Sequence, residues 1–157
     1  MATDIDFPAD LPCGQREGYS LELVQPFART QMAGGRAKQR QTFDNVPELA
    51  TVSWIFTPQE AMFFEAWFRY KIRNGTDWFN VDLRTPLDGR SNPGVSSYEC
   101  RFTEVYSKAM EGAHDWRFTG SLELLERQTL AESWLEFPEF VLQAEIIDLA
   151  ANVEWPS

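Results

Sequence analysis

The stretch "TPQEAMFFEAWFRYKIRNG", residues 57–75, carries the clearest structural signal in the chain. Thr57 offers an N-cap, Pro58 takes the first helical position, and Glu60 stands three residues after the cap, which makes a capping box. Ala61, Phe64, Trp67, Phe68, Lys71 and Ile72 then recur at helical spacing, and Asn74-Gly75 supplies a left-handed stop. Arg69, Lys71 and Arg73 fall in the last turns, where cations complement the negative end of the helix dipole. The pattern predicts a helix of about 16 residues whose aromatic stripe needs a surface to lie against.

The flanking segments supply that surface as strands. "LATVSWIF" (49–56) places Val52, Trp54 and Phe56 on one face, and "DWFNVDL" (77–83) reads as a strand after the helix. "SSYECRFTEVY" (96–106) alternates Tyr98, Cys100 and Phe102 against Glu99, Arg101 and Thr103. "WRFTGSLELLER" (116–127) alternates Trp116, Phe118, Gly120, Leu122 and Leu124 against Arg117, Thr119, Ser121 and Glu123. These two are expected to pair as an antiparallel hairpin around the turn "SKAMEGAHD" (107–115). Upstream, "GYSLELVQ" (18–25) has strand alternation closed by Pro26, and "QRQTFDNV" (39–46) reads as a short strand.

Five to six strands around one central amphipathic helix predict an α+β domain, mainly an antiparallel β sandwich or open barrel, with a C-terminal arm. The expected organisation is an N-terminal arm over 1–18, a β-rich domain over 19–127, and an acidic C-terminal arm over 128–157. Within that arm, Pro138 starts a short helix with Phe140, Val141, Ala144 and Ile147 on one face. Trp134, Leu135, Phe137, Phe140 and Trp155 make the arm too apolar for a free polar end. It packs either on a neighbour's surface or back on its own domain.

Composition agrees with a folded domain. The chain has 157 residues, 43% hydrophobic and 14% aromatic, with 12 Phe and 6 Trp. That length fits one domain burying roughly 70% of the surface of its unfolded chain. No apolar run approaches the ~18 residues needed to cross a bilayer. The opening "MATDIDFPADLP" has neither a basic nor an apolar region of the secretory kind, so no signal peptide is expected. Cys13 and Cys100 are two thiols without a disulfide framework, read as free in a reducing cytoplasm.

Charge is unevenly placed. With 24 acidic against 14 basic residues the net charge is −10, yet "RTQMAGGRAKQR" (29–40) holds Arg29, Arg36, Lys38 and Arg40 and no acid. Conversely, residues 131–157 hold six acids (Glu132, Glu136, Glu139, Glu145, Asp148, Glu154) and no Lys or Arg. A strongly acidic chain is a poor general binder of nucleic acid, and the basic loop lacks the interleaved aromatics that stack bases. "AGGRAK" lacks the Gly-Lys-Ser/Thr ending of a phosphate loop. The segment is therefore a solvated loop or a docking loop for an acidic protein surface.

Chemistry finds little support in the pattern. The one histidine, His114, sits in a turn beside Asp115 with no nucleophile elbow elsewhere. Neither cysteine has metal-ligand spacing, and Asp77, Asp82, Glu99 and Glu104 alternate outward as a solvated strand face. No catalytic, cofactor or metal residue is expected. Six tryptophans leave one alternative, a carbohydrate-binding β-sandwich module, although Trp54, Trp67 and Trp116 read as core, Trp78 as a cover for the helix end, and only Trp134 and Trp155 as exposed.

The order of features carries a resemblance. A "GYS" strand leads to basic "RTQMAGGRAKQRQTF", then "W-x-F-T-P-Q-E" opens the aromatic helix, followed by "NGTDWF", "CRF" and "WRFTGSLELLER". Over about residues 10 to 127 this resembles the small minor tail proteins of long-tailed bacteriophages and prophages, of the lambda minor tail protein M type, and their distal-tail relatives. The acidic C-terminal arm and the loop at 84–95 depart from that pattern. The resemblance implies a non-enzymatic, cofactor-free virion protein, made in the host bacterial cytoplasm and assembled as a homo-oligomeric ring, a hexamer, at the distal end of the tail. Its implied partners are itself, the tail tube, and tail tip, hub or baseplate proteins, with no nucleic acid and no membrane. Arg29, Arg36, Lys38, Arg40, Trp134, Leu135, Phe137, Phe140 and Trp155 are the expected interface residues.

Overall fold

The computed structural model describes residues 3–86, 96–126 and 129–142. The chain divides into two compact units, one over 1–83 with 96–127 and the other over 84–95 with 128–157.

The first unit is an open antiparallel sheet with a helix on one face. Its strands are β1 (Ser20–Leu23), β2 (Phe27–Thr30), β3 (Lys38–Gln41), β4 (Glu48–Phe56), β5 (Phe79–Leu83), β6 (Ser96–Phe102), β7 (Ser107–Glu111) and β8 (Asp115–Leu124). The main sheet runs β1-β4-β8-β6-β5, with β7 also paired to β8, while β2 and β3 form a separate two-stranded ribbon. The sheets are open rather than closed into a barrel, and the architecture is α+β as the sequence predicts.

Helix α1 (Pro58–Tyr70) starts as the capping box dictates: the Glu60 amide donates to Thr57 Oγ1, and Glu60 Oε2 accepts from the Thr57 amide. It is shorter than expected. Lys71 is the C-cap, and Arg73, Asn74 and Gly75 all take positive φ, at 46°, 59° and 87°. Ala61, Phe64, Trp67, Phe68 and Ile72 are buried, while Lys71 is exposed.

The core is an aromatic stack between α1 and the sheet. Phe64 lies 5.2 Å from Phe56 and 5.3 Å from Phe118, and Trp67 meets Phe79 edge-on at 5.2 Å. Offset and edge-to-face geometries of this kind add to the stabilisation from area alone. The N-terminal segment joins the same unit. The Phe7 amide donates to the Asn80 carbonyl and the Asn80 amide to the Ile5 carbonyl, both at 2.8 Å, beside β5. Phe7 stacks on Trp54 at 5.7 Å, and Leu11 is buried.

One strand pairing differs from expectation. β6 pairs with β8 only over Cys100–Phe102, and β7, inside the segment read as a turn, pairs with the other half of β8. The turn proper is the short step before Asp115, with Gly112 at φ 65°. The break between β6 and β7 has a packing cause: it turns Tyr106 into the core, 4.8 Å from Phe68 and 5.1 Å from Phe118. The first half of the basic segment also differs from a plain loop, because β2 begins at Phe27, directly after Pro26.

In the second unit, a 3-10 helix spans Glu132–Glu136 and α2 spans Pro138–Leu142, the short helix that Pro138 predicts.

Candidate assembly interface

The β2–β3 ribbon is built from the basic segment. Its register sets Ala28 opposite Arg40 and Thr30 opposite Lys38 on one face, and Phe27 opposite Gln41 and Arg29 opposite Gln39 on the other. Residues directly opposite share a face of the pleat. Lys38 and Arg40 therefore form one cationic face, Arg29 lies on the reverse, and Arg36 sits in the connecting turn with Gly35 at φ 90°. All four cations are exposed, and none forms an ion pair among the described residues. A two-stranded ribbon with both faces in water is marginally stable by itself. Such an element is suited to gaining stability from a partner.

Elsewhere in the first unit four cations are committed to ion pairs. Arg117 pairs with Glu111 at 2.8 Å and Glu17 at 3.6 Å, Arg101 with Glu123 at 2.8 Å, Arg73 with Asp77, and Lys108 with Glu65. The Arg73 side chain holds the Asp77 carboxyl below the usual carboxylate range, and Arg117 does the same for Glu111. Arg101 also covers the Trp78 ring at 4.7 Å.

In the second unit, Trp134 and Leu135 lie on the 3-10 helix, Phe140 on α2 and Phe137 between them, and none of the residues of either helix is buried. Phe137 and Phe140 contact edge-on at 6.2 Å. Ala144, Ile147 and Trp155 lie outside the described residues.

The residues considered for chemistry are dispersed. His114 is exposed in the β7–β8 turn. Cys13 is exposed and Cys100 fully buried, both as free thiols, and burial, then the charge of Glu99, pushes the Cys100 thiol far above its ordinary pKa. A buried protonated thiol of this kind is inert. Among the described residues no group of three His, Cys, Asp or Glu side chains is arranged to hold a metal ion. An open cleft of about 360 Å³ beside the N-terminal segment is lined by Asp6, Phe7, Cys13, Trp54, Asp82 and Ser97 among others. For a sugar platform, Trp54 and Trp67 are core residues and Trp116 packs against the core.

One apolar surface escapes the sequence reading. Met62, Phe63 and Tyr70 on α1 are exposed, on the side away from the buried stripe. Their spacing was visible in the sequence, but the dense aromatic pattern of the helix hid the existence of a second apolar face.

No protein-family model matches the chain, and no curated protein matches it. Among solved structures, it is similar to a chain of the virion of a native gene transfer agent particle, with a TM-score of 0.50 and 12% identity over 80% of this chain and 98% of that one. At that identity the likeness is one of fold.

Proposed function

We propose that this chain is a structural protein of a phage or phage-derived particle, a subunit of the ring at the distal end of a long tail, where tube meets tip or baseplate. The observation that carries the reading is the fold shared with a gene transfer agent virion chain across 98% of that chain's length. The order of sequence motifs from about residue 10 to 127 supports the tail position from an independent direction.

The function is assembly. A ring closes through heterologous contacts, one surface meeting a different surface on the next subunit. Arg29, Arg36, Lys38 and Arg40 contact carboxylates on a neighbouring protomer or tail protein, and the arm of residues 128–157 packs on a neighbour. Rim ion pairs contribute about 0.2–1 kcal/mol each and set register more than strength. The apolar residues of the arm contribute the larger share, at roughly 25 cal/mol per Å² buried before ordering costs. The partners are further copies of the chain, six in a ring by the resemblance, together with the tail tube and the tip or hub proteins.

The test is a truncation in the producing strain. Removing residues 131–157 leaves a soluble, folded domain and particles without complete tails. Infectious particles from the truncated gene would show that the arm has no assembly role.

A further inference from the structure

The cleft beside the N-terminal segment contains a donor that the fold leaves unused. Trp54 is a core residue, 1% exposed, yet its indole N–H makes no hydrogen bond among the described residues. Buried tryptophans ordinarily find a partner for this group. No side-chain nitrogen or oxygen among the described residues is both sealed from solvent and unpartnered, so this N–H keeps an opening. The opening is the cleft, which Trp54 and Gly14 both line: a β-carbon added at Gly14 would stand 3.7 Å from the indole nitrogen.

Around that donor the cleft offers carboxylates. Asp6 and Asp82 line it, both are exposed, and neither has an ion pair among the described residues. Asp6 accepts one hydrogen bond, from Asn80 Nδ2 at 2.9 Å. Among the described residues no Lys or Arg lines the cleft, and residues 1–13 contain none. Phe7 and Pro8, both half-buried, add an apolar wall. A matching ligand brings a cation for the two carboxylates and, on the same small body, a carbonyl for the indole N–H. A peptide turn with an arginine at its tip has both.

We propose that this cleft seats the tip of the β2–β3 ribbon of a second copy of the chain. Arg36 enters between Asp6 and Asp82, and a backbone carbonyl of the Gly34-Gly35 turn accepts from the Trp54 N–H. Charge selects that occupant: residues 29–40 carry four cations and no acid, and none of the four is ion-paired among the described residues. Shape agrees, because Ala33, Gly34, Gly35 and Ala37 surround Arg36 with small side chains or none, which lets the backbone approach closely. The tip stands clear of its own domain. A β-carbon added at Gly34 or Gly35 would meet nothing within 4 Å, and Arg36 is exposed. Two different surfaces meet, so the contact is heterologous and repeats from subunit to subunit. The inference rests on the ring reading above and names the seat of its basic ribbon.

Cys13, an exposed free thiol lining the cleft, makes the contact trappable. A chain carrying Ala33→Cys with Cys13→Ser is mixed with the wild type under oxidised glutathione. The expected product is a disulfide-linked heterodimer whose peptide map joins the tip thiol to Cys13. Adding Arg36→Glu to the first chain lowers the yield roughly tenfold, and Asp82→Lys in the second restores most of it, with far-ultraviolet circular dichroism unchanged throughout. In proton–nitrogen correlation spectra the Trp54 indole signal shifts as wild-type concentration rises and stays fixed in Arg36→Glu. No heterodimer, a yield indifferent to Arg36→Glu, or a Trp54 signal that never moves would each overturn the proposal. So would an intramolecular disulfide in the Ala33→Cys chain that retains Cys13, since the tip would then sit in its own cleft. The virion reading fails separately, if the protein is missing from purified particles whatever its behaviour in solution.

Discussion

The ring of Phe102 occupies the space that a side chain at position 120 would need. A β-carbon added to Gly120 would lie 2.8 Å from Phe102 Cε1, on the core face where β8 passes the break between β6 and β7. Gly120→Ala therefore forces the ring off its position and destabilises the domain by about 1–3 kcal/mol. Urea unfolding measures it. Adding Phe102→Leu relieves the clash, so the double variant loses less than the two single losses combined.

The capping box on α1 makes a second, local prediction. Thr57→Ala removes the acceptor for the Glu60 amide and costs about 1 kcal/mol. In a chain of this size that lowers the melting temperature by roughly 2–4 °C. Thr57→Ser retains the acceptor and stays within about 0.5 kcal/mol of wild type.

The two cysteines separate by environment. In the native protein a thiol reagent at pH 8 modifies exposed Cys13 quickly and buried Cys100 only on denaturation. The same burial fixes a pH dependence. The Cys100 thiol is raised in the folded state above its ordinary value of 9.0. Above about pH 9 the unfolded chain therefore loses this proton before the folded one does, and stability falls as pH rises. Burial, then Glu65, also raises Tyr106, which acts in the same direction. Replacing Cys100 by Ala flattens the alkaline slope even though it lowers overall stability, and denaturation midpoints between pH 8 and 10.5 report both effects.

Reversing charge on the ribbon separates folding from assembly. Lys38→Glu with Arg40→Glu alters one exposed face of the β2–β3 ribbon and changes the stability of the isolated protein by no more than about 0.5 kcal/mol. In the producing strain it reduces the yield of tailed particles. Arg29→Glu lies on the reverse face, and its effect on yield is independent of the first. Particle counts by electron microscopy, set against thermal melts of the purified variants, distinguish the two effects.

How much of this was legible follows from the range of the interactions. Thr57, Pro58 and Glu60 act within a turn of their own position, so the start of α1 could be read directly, whereas its end falls at Tyr70, ahead of the Asn74-Gly75 stop. The inward faces of β4 and β8 were equally plain, because burial on one side leaves a two-residue period in Val52, Trp54, Phe56, Phe118 and Leu122. β7 left no such trace: "SKAME" pairs through its backbone at an edge with almost every side chain in water. The ribbon was half hidden for the same reason, since both its faces are exposed. Nothing local could reveal that Tyr106 breaks the long β6–β7 run by turning into the core. Of the candidate interface, the cations and arm aromatics were visible as composition. The division of Arg29 from Lys38 and Arg40 needed the register.

The most direct test of the tail assignment is immunogold labelling of purified particles with an antibody against this chain. Gold confined to the distal tip of the tail, in particles whose heads and tubes stay unlabelled, is the predicted result. Gold on the head, or purified particles that carry none of the protein, would contradict it.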